Sequence, residues 1–143
     1  MLKIIVAAWS LVAGTVIVHA AGLVITLRPL LAPSALADTR FWPMVWLVIR
    51  TVSWLIVIHG LEIALWALFY WWQNCLPDAE SSLYFAGVTY TTLGYGDLLL
   101  PREWRLLGPV EGLTGILMCG LSTGFFFAMV SRIYAVRTKS SNS

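Results

Sequence analysis

Charge is what this chain has least of. Asp, Glu, Lys and Arg make up 11% of its 143 residues, against about 25% in an ordinary soluble domain. Mean hydropathy is +0.83 and 59% of residues are hydrophobic, which excludes a chain that folds behind a solvated polar shell. The shortage is also uneven. Ile4–Leu27, Thr51–Trp72 and Leu106–Ser131 contain only Glu62 and Glu111 as charged residues, and each is about as long as the ~20 residues that cross a bilayer. Too little sequence remains for a separate soluble domain. The two cysteines form no metal or redox motif. There is no phosphate loop, no metal cluster motif and no nucleophile paired with a base, so no enzyme is expected. A net charge of +2 is too small to suggest nucleic acid as a partner.

Aromatic residues are abundant, with eight tryptophans and five tyrosines. Trp42, Trp46, Trp71, Trp72 and Trp104 fall near expected span ends, as interfacial belts do. Trp9, Trp54 and Trp66 lie deeper, against lipid or another helix. At the N-terminus, Lys3, an apolar run and Val18-His19-Ala20 have the outline of a signal peptide. The apolar run continues to Leu27, however, and an uncleaved span is preferred. Residues 29–50 read as a connector, with Pro29, Pro33, Ser34, Asp38, Arg40 and Pro43 breaking the periodicity. Within it, Phe41–Ile49 is either an interfacial segment or the foot of the second span. Arg28, Arg40 and Arg50 surround this connector, and Arg132, Arg137 and Lys139 follow the last span. The positive-inside rule therefore predicts a cytoplasmic connector and C-terminus and an N-terminus outside, with Lys3 in mild disagreement.

Between the second and third spans, Pro77-Asp78 opens a short helix expected over residues 79–91, with Asp78 as its cap. It is too short to cross, so it must be re-entrant. Thr91-Thr92-Leu93-Gly94-Tyr95-Gly96-Asp97 follows. Glycine-rich irregular backbone cannot face lipid and is tolerated at membrane depth only in protein or along a wet cavity. Successive carbonyls face one axis only if the backbone alternates in handedness, and glycine reaches the left-handed conformation without steric cost. Gly94 and Gly96 provide for this.

The segment resembles the filter signature of the pore-domain potassium channels. That resemblance implies an all-α integral membrane protein with three transmembrane helices, a re-entrant pore helix and a selectivity-filter loop, assembled as a homotetramer in the lipid bilayer. It implies no cofactor other than bound K+ ions, held by carbonyls of Thr92, Leu93, Gly94 and Tyr95 and by the Thr92 hydroxyl. Gly96 completes the filter, and Tyr95 would wedge against the pore helix. Thr91, Tyr84, Phe85 and Asp97 would support it. Tyr84 and Phe85 stand where many voltage-gated members carry paired tryptophans, so a Tyr84–Asp97 hydrogen bond is expected. Val88 stands where the family's bacterial prototype has a glutamate, so that second brace is missing. The first span carries no arginine ladder, which argues against voltage sensing of the usual kind.

Four further groups of residues invite a role. Gly108, Gly112, Gly115, Gly120 and Gly124 let the third span pack closely, and Gly120 is the mid-span hinge candidate. Phe125, Phe126 and Phe127 offer a hydrophobic gate, since at least one of three consecutive residues faces inward. His19, His59, Glu62 and Glu111 are intramembrane polar residues, which are costly and rarely incidental. His19 and His59 each lie nine residues from an arginine, Arg28 and Arg50, hence about 13 Å deep. They would clip the first two helices through His19–His59 or His19–Glu62 contacts, or else bond separately to backbone. Glu62 or Glu111 would alternatively brace the pore or inner helix, and protonatable groups here suggest pH sensitivity. Cys75, in a polar turn, is either an intersubunit contact or a free thiol, and Cys119 is expected as a small buried hydrophobe.

The chain thus divides into an extra N-terminal span (1–28), the connector (29–50), a pore domain (51–135) and a short cytoplasmic tail (136–143). The expected activity is passive K+ conduction in a plasma or inner membrane. A non-selective cation channel on the same scaffold and a non-conducting accessory subunit are the alternatives.

Overall fold

The computed structural model describes residues 1–30 and 41–141. Four helices account for most of them: α1 (Leu2–Leu30), α2 (Phe41–Trp72), α3 (Ala79–Tyr90) and α4 (Leu107–Ser141). No strand occurs among the described residues. Three helices are long and apolar enough to cross a membrane, over Leu2–Leu27, Trp42–Trp72 and Leu107–Arg132. Pro33, Ser34, Asp38 and Arg40 of the expected connector lie outside the described residues.

Phe41–Ile49 is the foot of the second span, because α2 runs unbroken through Arg50. Pro43 is its third residue, and Pro109 is likewise the third residue of α4. In a first turn the missing N–H has no intrahelical partner to lose. At 32 residues, α2 is about 48 Å long, so it projects beyond a ~30 Å hydrocarbon core or lies tilted in it. The helix α4 also continues unbroken past residue 135, where a tail was expected to begin.

At 12 residues, α3 spans only about 18 Å. Its start follows the sequence: Asp78 Oδ1 accepts from the Ser81 amide at 2.7 Å, and this bond holds the Asp78 carboxyl below the usual carboxylate range. Ser82, Phe85, Ala86 and Tyr90 are its buried residues. Their i, i+3/i+4 spacing is one helical face, turned toward α2.

Helix α2 is the hub, packing against α1, α3 and α4. Trp66 is wholly buried, and its indole N–H donates to Thr15 of α1 at 3.0 Å. Around it pack Leu11, Ala67, Tyr70, Phe85, Ala86, Leu100 and Leu107. Trp54 donates to the Gly22 carbonyl at 3.3 Å, whereas Trp9 is exposed. A second cluster joins Met129, Phe125 and Phe126 of α4 to Met44, Leu47 and Val48 in the foot of α2.

On α4, residues 107, 111, 114, 118, 122 and 129 form the buried stripe. Cys119 lies off this stripe and is exposed, contrary to expectation, because one residue past Met118 rotates the side chain by about 100°. Gly115 lies on the stripe for a steric reason: a Cβ there would collide with the Tyr90 carbonyl oxygen. Glycine therefore lets α4 touch the end of α3. Gly120 meets nothing within 4 Å and so faces open space.

Candidate ion-conducting loop and its braces

The loop segment begins where α3 runs out of helix. The Thr91 amide and hydroxyl both donate to the Gly87 carbonyl, at 3.1 and 2.7 Å. The Thr92 amide donates to Thr89 at 2.9 Å, and the Gly94 amide to Val88 at 3.0 Å. These bonds fold the first residues of the loop back against the helix end. Thr92, Gly94 and Gly96 then take φ values of 62, 54 and 77°, while Leu93 and Tyr95 between them do not. The backbone alternates in handedness at every residue from 92 to 96, as a row of carbonyls facing one axis requires.

The two glycines in left-handed conformation were expected, and Thr92 was not. A β-branched residue there is a real outlier, costing about 1–3 kcal/mol when nothing compensates. Its amide bond to Thr89 is one restraint that holds it. No pattern of residue types announces it, because the glycine signal stops at Gly94.

Thr91 through Asp97 are all exposed. Asp97 accepts a 2.8 Å hydrogen bond from the Tyr84 hydroxyl, as expected. That bond is the main reason the Tyr84 hydroxyl is pushed above its ordinary range, so Tyr84 remains the donor near neutral pH. Replacing Tyr84 with phenylalanine removes this tie, and macroscopic currents should inactivate several-fold faster. Unchanged inactivation would show that the tie does not hold the outer loop.

Two expected supports are placed differently. Phe85 turns away from the loop into the core, edge-on to Tyr70 with ring centroids 5.4 Å apart. Tyr95 stays 68% exposed within the single chain. Covering it requires something outside this chain. Phe125 and Phe126 are half-buried against α2, leaving Phe127 exposed. Cys75 is a free thiol buried in the core cluster. Burial and the nearby Glu103 raise its pKa, so a bridge to a neighbour would first have to draw it out.

Behind the loop lie two braces. Glu62 and His19 are fully buried, with His19 Nδ1 and Glu62 Oε1 2.8 Å apart. His59 Nδ1 lies 3.0 Å from Glu62 Oε2 and 3.0 Å from the Tyr90 hydroxyl. The Tyr90 hydroxyl also donates to Glu62, and His59 Nε2 meets the Ser122 hydroxyl at 3.0 Å. One polar cluster therefore joins α1, α2, α3 and α4. Glu62 both clips α1 to α2 and braces α3, the helix expected to re-enter, two roles that had stood as alternatives. The second brace is Tyr70 of α2 donating to Glu111 of α4 at 2.8 Å. Tyr70, Tyr90 and Ser122 were not anticipated. Tyr90 directly precedes the loop motif, which was the one available signal, but nothing in the chain pairs it with a carboxylate 28 positions away.

No curated protein and no solved structure matches this chain. A family model described as "Ion channel" matches residues 44–132, more than half of the chain, and covers α2 from its fourth residue, α3, the alternating loop and the membrane-spanning part of α4, leaving α1 outside. This multi-pass, all-helical membrane protein belongs to that ion channel family.

Proposed function

We propose that four copies of this chain surround a potassium-selective pore that conducts passively, down the electrochemical gradient. The observation that carries this is the alternation of handedness through Thr92, Gly94 and Gly96 on an exposed edge of the protomer. Backbone of that form supplies one wall of oxygen ligands able to replace an ion's hydration shell, and one wall encloses nothing alone. The carbonyls of Thr92, Leu93, Gly94 and Tyr95, with the Thr92 hydroxyl, are the proposed K+ ligands. The C-terminal end of α3 points its partial negative charge toward the same region. Exposed Tyr95 then packs on a neighbouring subunit, and Phe127 is the gate phenylalanine, since Phe125 and Phe126 are already engaged with α2. Gly120, in open space, is free to act as a hinge. The distribution of arginines supports a loop mouth outside, a cytoplasmic C-terminus and an N-terminus outside, and a plasma or inner membrane is the proposed location.

Reversal potentials of the reconstituted protein in mixed K+ and Na+ test this. They should follow the K+ gradient and ignore Na+. A reversal that tracks both ions would make the pore a non-selective cation channel. Absence of flux from correctly folded protein would make the chain an accessory subunit.

A further inference from the structure

The polar cluster at the helix junction has a composition that bracing alone does not require. His19, His59 and Glu62 each present one ligand-type atom, and the three atoms lie within 4.8 Å of one another. His59 and Glu62 are i and i+3 on α2, hence on one face. His19 comes from α1, which lies outside the segment shared with the ion channel family. The site is therefore built only because this chain has an additional helix.

Charge provides the second argument. Glu62 and His19 are fully buried and His59 is 19% exposed. An ionised Glu62 would leave a negative charge at membrane depth, which is expensive without a compensating positive one. Tyr90 and Ser122 are neutral partners and do not cancel it. A cation among the three groups does.

The donor set decides which cation. Two imidazole nitrogens and a carboxylate oxygen, with a fourth position open, form a common zinc arrangement. Mg2+ and Ca2+ instead take oxygen ligands. Tetrahedral bonds of about 2.0–2.2 Å set ligand atoms about 3.4 Å apart. His19 and Glu62 are closer than that, at 2.8 Å, and the widest separation is within 4.8 Å, so small side-chain rotations close the site. The Tyr90 hydroxyl, bonded to both Glu62 and His59, is placed for the fourth position or for a hydrogen bond to the ligating carboxylate. From these observations we infer that His19, His59 and Glu62 bind one divalent transition-metal ion per chain, of the Zn2+ class, fastening α1 to the pore domain. Through Tyr90, the bound ion also bears on the end of α3, one residue before Thr91.

Full-length protein in lipid nanodiscs, stripped with chelator and titrated with Zn2+ by calorimetry, tests the site. Saturable binding of one ion per chain is expected, with nitrogen and oxygen scatterers at about 2.0–2.1 Å by X-ray absorption. The melting temperature should rise with Zn2+ and not with Mg2+. His19→Gln and His59→Gln should each weaken binding by at least about tenfold, since even outer-shell changes cost that much at zinc sites. His59→Gln, at the only member of the three with any exposed surface, serves if His19→Gln does not fold. No saturable Zn2+ binding, or binding undiminished in a folded variant, overturns the proposal and leaves a proton as the compensating charge. The readout is binding, so it stands or falls apart from the question of K+ selectivity.

Discussion

Gly94→Ala should abolish potassium flux while leaving the helices intact. The added methyl has room, since nothing lies within 4 Å of where a Cβ would sit. The obstacle is the backbone, held at φ +54°, where an L side chain costs about 1–2 kcal/mol. In the proposed fourfold assembly the same penalty falls on every wall at one level of the pore, roughly 4–8 kcal/mol in total. That is enough to turn the peptide planes and remove a layer of oxygen ligands. Gly60→Ala is the control. It too has nothing within 4 Å, but it lies inside α2, where alanine is the better helix former by about 1 kcal/mol. Flux through liposomes should vanish in the first variant and persist in the second. Wild-type selectivity in Gly94→Ala would mean that the loop is not the conducting element.

Glu62→Ala should produce the largest loss of stability of any single change outside the loop. Alanine removes the shared partner of His19, His59 and Tyr90 at a site with no exposed surface. Interhelical hydrogen bonds in membranes average about 0.6 kcal/mol and reach about 1.7, which gives roughly 1–3 kcal/mol for the two that cross helices, to His19 and Tyr90, with the His59 contact inside α2 lost in addition. Breaking a buried ionic pair in a soluble protein costs about 3–5 kcal/mol. The two estimates overlap, so a loss of several kcal/mol follows whichever protonation state the histidines hold. Glu62→Gln keeps the side chain's size and one acceptor oxygen, and should lose distinctly less. Thermal unfolding in detergent, with chelator present so that metal plays no part, measures both. A Glu62→Ala protein that melts with the wild type would mean that the cluster does not hold the helices together.

What could be read along the chain was mostly what lies close together along it. The Asp78 cap, the short α3, the glycines at 94 and 96 and the Tyr84–Asp97 bond all arise within twenty residues. The three spans follow from length and apolarity alone. Rotation was the hidden quantity. A helix that is apolar on every side carries no stripe to show which face meets protein. Cys119 was therefore expected buried and Phe85 expected at the loop, both wrongly, and the division of labour among the three phenylalanines was open. The meeting of Tyr90 with Glu62 depended on the relative height of two helices, which composition does not encode. His19 and Glu62 were the exception, because flanking arginines set a common depth for α1 and α2.

The exposed edge from Thr91 to Asp97 also constrains how such a protein is made. A lone chain in hydrocarbon would set an irregular stretch of peptide groups against acyl tails, where each unmet polar group costs several kcal/mol. Newly inserted subunits would thus be driven to hide that edge against one another, or to keep it wet, before the membrane closes around them. In the proposed fourfold assembly, dilution in lipid should not release well-folded single chains, and biogenesis and oligomer formation would become one event.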